Sequence, residues 1–219
     1  MSRIRRLSKA RSETILVTRD MTIFSKKYDK LKKVSGEVLT HSLFQYLSPP
    51  KGMPTSDFLI VSALDFLERT EKLFQSCSLF CTSETCPMFN AGPHYHYFWE
   101  DESTTDPVQV SAPEYLMRLI FWSKRKLGNT QLFPKETGKD LSEDALTIIQ
   151  TIFRRTLRIY NHLYLCHFKM LHTYGIEPVI NTLLAHYALL ALKYQLIDVP
   201  DIAVLKPVFQ AMKIPIPDV

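Results

Sequence analysis

The stretch Tyr160-Asn161-His162-Leu163-Tyr164-Leu165-Cys166-His167-Phe168 places a His-x4-His pair inside the longest run of helical periodicity in this 219-residue chain. Working outward, Leu146, Ile149, Phe153, Leu157, Tyr160 and Tyr164 recur at helical spacing and predict one helix over about 143–173. Ser142 is placed to cap it and Gly175 to end it. A second pair, the Cys-x4-Cys of Cys81 and Cys86, lies far upstream in a stretch punctuated by Pro87, Gly92 and Pro93. Two thiolates and two imidazoles complete a tetrahedral set for zinc, and a closed set leaves no position for a substrate. The spacing therefore points to a structural zinc site, Cys81–Cys86–His162–His167, that ties a loop to a helix. One geometric strain accompanies it. Five residues along an ideal helix turn through about 500°, so the two imidazoles leave the helix roughly 140° apart. They reach one ion only if the helix bends or ends there, or if the ion lies over its surface. Cys77, Cys166, His94, His96 and His172 are competing donors, with Cys166 read as a small core residue. Disulfide pairing among the four cysteines, and buried free thiols with core histidines, are the other readings of these residues.

The other elements predict a mainly α fold, a helical bundle with an embedded loop or hairpin. Ser48-Pro49-Pro50-Lys51-Gly52-Met53-Pro54 is a turn-rich break, after which Thr55 or Ser56 is expected to cap a helix reaching about Phe80, with Ile60, Leu64, Leu67 and Phe74 on its apolar face. Tyr95, Tyr97 and Trp99 alternate with His96 and Phe98, which suits a short strand partnered by Val108-Gln109-Val110. Ser111-Ala112-Pro113-Glu114 opens a helix to about Leu127, stopped by Gly128-Asn129. Glu177-Pro178 opens the most apolar helix, to about Leu196, expected at the centre of the bundle. A short helix follows Pro200, with Pro207 limiting or kinking it.

Charge divides the chain. Residues 1–33 hold eleven Lys/Arg against three acids, and residues 34–219 hold sixteen against nineteen. The expected organisation is a basic, flexible tail over 1–33, with a short helix from Thr22 to Lys33, followed by a single domain over 34–219. A whole-chain net charge of +5 thus reflects the tail, which argues against a nucleic-acid face on the domain. The Arg- and Ser-rich start also fits a mitochondrial transit peptide, with a disordered basic tail the plainer reading. No apolar run is long enough for a membrane span.

A wider set of motifs resembles one family. Cys81-Thr-Ser-Glu-Thr-Cys86-Pro87-Met88-Phe89-Asn90-Ala91-Gly92-Pro93-His94-Tyr95 is followed by Tyr97, Trp99, Ser111-Ala112-Pro113, Leu132-Phe133-Pro134 and the Tyr160–Phe168 stretch. Their order and spacing resemble the Mob (Mob/phocein) family of kinase co-activators from about Leu31 to Lys213. The resemblance implies a fold around a four-helix bundle, structural zinc on Cys81, Cys86, His162 and His167, and no catalysis. It implies binding to the basic N-terminal segment of an NDR/LATS-type (AGC) kinase and to phosphorylated segments of upstream Hippo-type kinases. The setting it implies is mitotic exit and cytokinesis. Localisation would be cytoplasmic, with the nucleus, spindle poles or basal bodies as further sites. The family's phosphopeptide-binding positions fall on Arg154, Arg155 and Arg158, which the residues themselves also group into one cationic helix quadrant. Asp57 and Asp65 are the kinase-binding candidates. Here the chain departs from the family, with Pro50-Lys51-Gly52-Met53-Pro54 and Phe58 where several acids and a Trp are usual. A phocein-like scaffold of a phosphatase–kinase assembly, a zinc hydrolase using Glu84 and a nucleic-acid binder using the tail are the rival readings.

Overall fold

The computed structural model describes residues 43–215; the expected tail and its helix over 22–33 lie outside the described residues. Four long helices carry the fold: α1 (Thr55–Ser76), α2 (Ala112–Leu127), α3 (Glu143–Thr173) and α4 (Glu177–Lys193). Two short helices, α5 (Val199–Ile202) and α6 (Lys206–Ala211), follow, the latter with Pro207 in its first turn. The strands β1 (Asn90–Ala91) and β2 (Tyr95–His96) form a small antiparallel hairpin.

The helix ends follow from side-chain chemistry. The Ser111 and Ser142 hydroxyls accept from the backbone N–H groups of Glu114 and Ala145, at 3.3 and 3.2 Å, capping α2 and α3 as their sequences predict. The start of α1 differs from expectation. Pro54 occupies the N-cap, and neither Thr55 nor Ser56 caps it. The stops differ from each other too. Gly175 takes a left-handed φ of 67° after α3, whereas Gly128 stays right-handed and closes α2 through its N–H to the Lys124 carbonyl.

The expected partner of the Tyr95 strand is also corrected. β2 pairs with Asn90–Ala91, and Val108 meets only Trp99, in an isolated bridge. Pro93 and the positive φ of Gly92 make the turn that folds Tyr95 back on Ala91.

The centre of the bundle is α3, not the more apolar α4. It packs against α1, α2, α4 and β1, and every residue from Arg155 to Phe168 is buried. On α4, Val179 at the first turn is 44% exposed. Leu64 of α1, expected inside, is also exposed. The inward face of α1 is Leu59, Ala63, Phe66, Leu67, Thr70, Leu73 and Phe74. The rings of Phe66, Phe153 and Tyr187 meet pairwise at 5.2–5.9 Å where α1, α3 and α4 converge. Each such buried ring removes enough apolar surface from water to contribute about 1.5–3 kcal/mol. Buried hydroxyls in α3 are matched across the interfaces: Tyr160 meets Thr70 of α1 at 3.2 Å, and Tyr164 donates to Asn181 of α4 at 2.6 Å. Among the described residues, no helix is long and apolar enough to cross a membrane.

Candidate metal centre and arginine pocket

Just beyond α1 the chain makes a tight turn whose rigidity comes from its threonines. The Thr82 N–H donates to the Thr85 hydroxyl, that hydroxyl donates to the Phe80 carbonyl, and the Cys86 N–H donates to the Thr82 carbonyl. The turn brings Cys81 and Cys86 onto α3 beside His162 and His167. One ligand atom from each of the four residues falls within 4.8 Å of every other, and all four side chains are buried. Cys81 Sγ lies 3.3 Å from His162 Nε2, Cys86 Sγ 3.1 Å from His167 Nε2, and the two Nε2 atoms are 3.2 Å apart. A zinc tetrahedron with bonds of ~2.0–2.3 Å has edges of about 3.3–3.8 Å. These three separations stand at or just inside those edges and the rest of the set lies within 4.8 Å, a cluster compact enough to hold one zinc ion.

This arrangement resolves the helical strain. α3 runs unbroken through the histidines. The two imidazoles lean toward each other over its surface, with ring centroids 4.9 Å apart, and the metal position lies above the helix. The competing donors are elsewhere. Cys77 sits at the end of α1 with its thiol on the Leu73 carbonyl, and His172 pairs with Glu177. All four cysteines are free thiols.

Donor chemistry agrees with the geometry. A carbonyl can only accept, so the 2.7 Å contact between His162 Nδ1 and the Asn90 carbonyl fixes the proton on Nδ1 and leaves Nε2 for a metal. The hydrogen bond from Cys81 leads the effects that hold Cys86 far below the usual thiol range despite burial, and the same coupling pushes the Cys81 thiol up. Burial lowers the His167 pKa and favours the neutral ring that ligates. The rings of Phe80 and Phe89 stand 5.3 and 5.2 Å from His167 and His162 and keep water away.

Asn90, which the sequence reading did not assign, and Cys166, read there as a small core residue, complete the cross-link. Asn90 takes the His162 proton on its carbonyl and the Cys166 thiol on its side chain at 3.1 Å, while Cys166 Sγ receives the Gly92 N–H at 3.4 Å. The hairpin is thereby pinned to α3 between the two histidines. An Asn preceding Ala-Gly-Pro was the only available signal.

One to two turns N-terminal on α3 lie the three arginines, and they do not form one solvated quadrant. Arg154 is half-buried; Arg155 and Arg158 are each only 8% exposed. The Arg155 guanidinium is held between the rings of Trp99 and Trp122, at 4.6 and 4.3 Å, and donates through Nη2 to the Glu100 carbonyl at 2.6 Å. Its Nη1 is buried without a hydrogen-bond partner. Arg158 stacks 5.2 Å from the Tyr97 ring and donates to the Tyr115 hydroxyl at 3.1 Å. Among the described residues, no carboxylate forms an ion pair with any of the three. Cation–π contacts of this kind contribute about 0.5–2 kcal/mol each, but a buried charge also wants hydrogen-bonding anionic partners. Among the described residues the three cations thus lack a carboxylate in direct ion pairing, and one keeps an idle buried N–H.

The acidic candidates on α1 are tied up locally. Asp57 accepts from the Gly138 N–H at 3.3 Å, and Asp65 pairs with Arg69 at 2.8 Å. Glu84, the acid nearest the metal ligands in sequence, is exposed.

Comparison with known proteins agrees with these features. The Mob1/phocein family model matches residues 36–205. The "Maintenance of ploidy protein mob1" of Schizosaccharomyces pombe is 31% identical over 86% of this chain and 90% of its own length. "MOB kinase activator-like 1 homolog A" of Dictyostelium discoideum is 29% identical over 92% of this chain and 95% of its own. "MOB kinase activator-like 1A" of Arabidopsis thaliana is 30% identical over 83% and 85%. With a helical bundle of the expected kind, a Cys2His2 cluster at the expected positions and a match across most of its length, this chain belongs to the Mob1/phocein family.

Proposed function

We propose that this protein is a non-catalytic kinase co-activator, held in shape by one structural zinc ion, that docks an NDR/LATS-type kinase and captures a phosphorylated segment of an upstream Hippo-type kinase. The kinase-activator names of its relatives support the first part. The observation that carries the second is the arginine cluster: among the described residues Arg154, Arg155 and Arg158 form no ion pair with a carboxylate, and Arg155 Nη1 is buried and idle. Guanidinium groups bind phosphate through paired, charge-assisted hydrogen bonds, which a phosphoresidue would supply. Docking on one partner while holding another would act by shifting the kinase between inactive and active arrangements.

The donor set argues against a zinc hydrolase, because four protein ligands close the tetrahedron and the nearest acid in sequence faces solvent. A phocein-like scaffold of a phosphatase–kinase assembly is the second reading, favoured by the local engagement of Asp57 and Asp65. Affinity purification of the full chain with identification of its partners separates the two. Recovery of an NDR/LATS-type kinase supports the co-activator; phosphatase subunits without such a kinase support the scaffold. For the pocket, Arg158→Glu is expected to abolish binding of a phosphothreonine peptide. Unchanged affinity in a variant with a normal melting curve removes that part of the proposal.

A further inference from the structure

The arginine pocket has an acidic lip. The chain leaves Trp99 through Glu100, Asp101 and Glu102 and returns through Asp106 to the Trp99–Val108 bridge. Its root is fixed to the pocket by the Arg155-to-Glu100 carbonyl hydrogen bond. Asp101 closes the turn by accepting from the Trp99 indole and from the Ser103 backbone and hydroxyl. Glu102 bridges Arg125 and Lys126 at the end of α2 and offsets part of their charge. Glu100 and Asp106 have no ion-pair partner among the described residues. Asp101 and Glu102 both act electrostatically on Arg155, opposing the effect of its burial.

The loop beside the three arginines of α3 thus carries four carboxylates, Glu100, Asp101, Glu102 and Asp106, against the two cations that Glu102 bridges. Resting on the phosphopeptide reading above, we propose that the pocket selects phosphorylated segments flanked by lysine or arginine, and that the Glu100–Asp106 loop is what rejects acidic flanks. The phosphate would meet Arg154, Arg155 and Arg158, with the unpartnered Arg155 Nη1 as one donor. The flanking residues would meet the lip. Placing like charges against each other at a rim is how a surface discriminates between sequences that carry the same anchor.

Two synthetic phosphothreonine peptides, identical except for lysine or glutamate on both sides of the phosphoresidue, test this against the full chain by calorimetry. At exposed rim pairs the lysine peptide should bind about three- to fivefold tighter. The preference should shrink at high salt, as exposed charges are screened. Glu102→Lys, at a half-exposed side chain outside the arginine set, should erase or reverse it. Equal binding of the two peptides, a glutamate preference, or a lysine preference unchanged in Glu102→Lys overturns the loop's role and leaves the pocket as a phosphate site. Binding of neither peptide above its unphosphorylated form overturns the loop's role and the phosphopeptide reading together.

Discussion

Two segments of the same helix, less than three turns apart, bury polar side chains in opposite ways. At His162 and His167 the buried groups converge on one another and on two cysteines, and the set closes. At Arg155 and Arg158 they spread over aromatic faces and leave a buried N–H idle. A closed set has nothing to offer a passing ligand and serves the fold. An open one keeps an unmet demand for negative charge, which suits the recognition role proposed above. The difference shows why burial alone does not identify a functional site; what counts is whether the donors and acceptors balance.

The comparison can be broken most severely at the closed end. Replacing Cys81 or His167 with Ser or Ala, or removing metal with a chelator, should cost at least about 3 kcal/mol, a fraction of the ~10–16 kcal/mol that structural zinc supplies in isolated fingers. For a domain of this size that lowers the thermal midpoint by roughly 6–12 °C. Denaturation followed by circular dichroism checks it. At the open end, Arg158→Ala should weaken phosphothreonine-peptide binding by about 2 kcal/mol or more, roughly thirtyfold, with a smaller loss of stability. That split between binding and melting is the signature of an open site, and a loss of stability without a loss of binding would reverse the assignment.

How much of this was legible beforehand follows the same division. The ligand positions were readable because Cys-x4-Cys and His-x4-His restrict what the side chains can do, and the strain between the histidines was readable from helical angle alone. Ser111 and Ser142 announced their helices by cap chemistry. The arginines were readable as a charge group but not as a buried one. Their burial depends on Trp99, Tyr115 and Trp122, which come from the loop and α2 and meet α3 only in three dimensions. Hydrophobicity misplaced the bundle centre for a related reason. α4 is the more apolar helix, but α3 can be buried on all sides because the Cys2His2 cluster, stacking and cross-helix hydrogen bonds engage most of its polar groups.

Acid sharpens the contrast next. Zinc needs thiolates and neutral imidazoles, so protons compete with the ion. Burial depresses the His167 pKa, which keeps the ring neutral and ready at pH 7. Its contribution is complete above the free histidine value of about 6.5 and is lost as pH falls below it toward the depressed folded value. Metal affinity, measured with a colorimetric zinc chelator, should therefore fall between pH 7 and 5 by about tenfold or more. Arginines stay charged across that range, so peptide capture should follow the metal only where unfolding begins.

The smallest effect belongs to α1. Asp57 and Asp65 are half-buried and already engaged, so Asp65→Asn should weaken binding of a basic kinase segment only about two- to threefold, the scale of a partly exposed charge pair. A tenfold loss, read by fluorescence anisotropy, would mean that Asp65 leaves Arg69 for the partner.

The most direct test of the central claim is X-ray absorption at the zinc edge on the purified full chain, with metal content measured on the same sample. The account predicts one zinc per chain, bound by two sulfurs at about 2.3 Å and two nitrogens at about 2.0–2.1 Å. A chain that melts at the same temperature with and without metal, or a bound zinc whose shell includes oxygen, would contradict it.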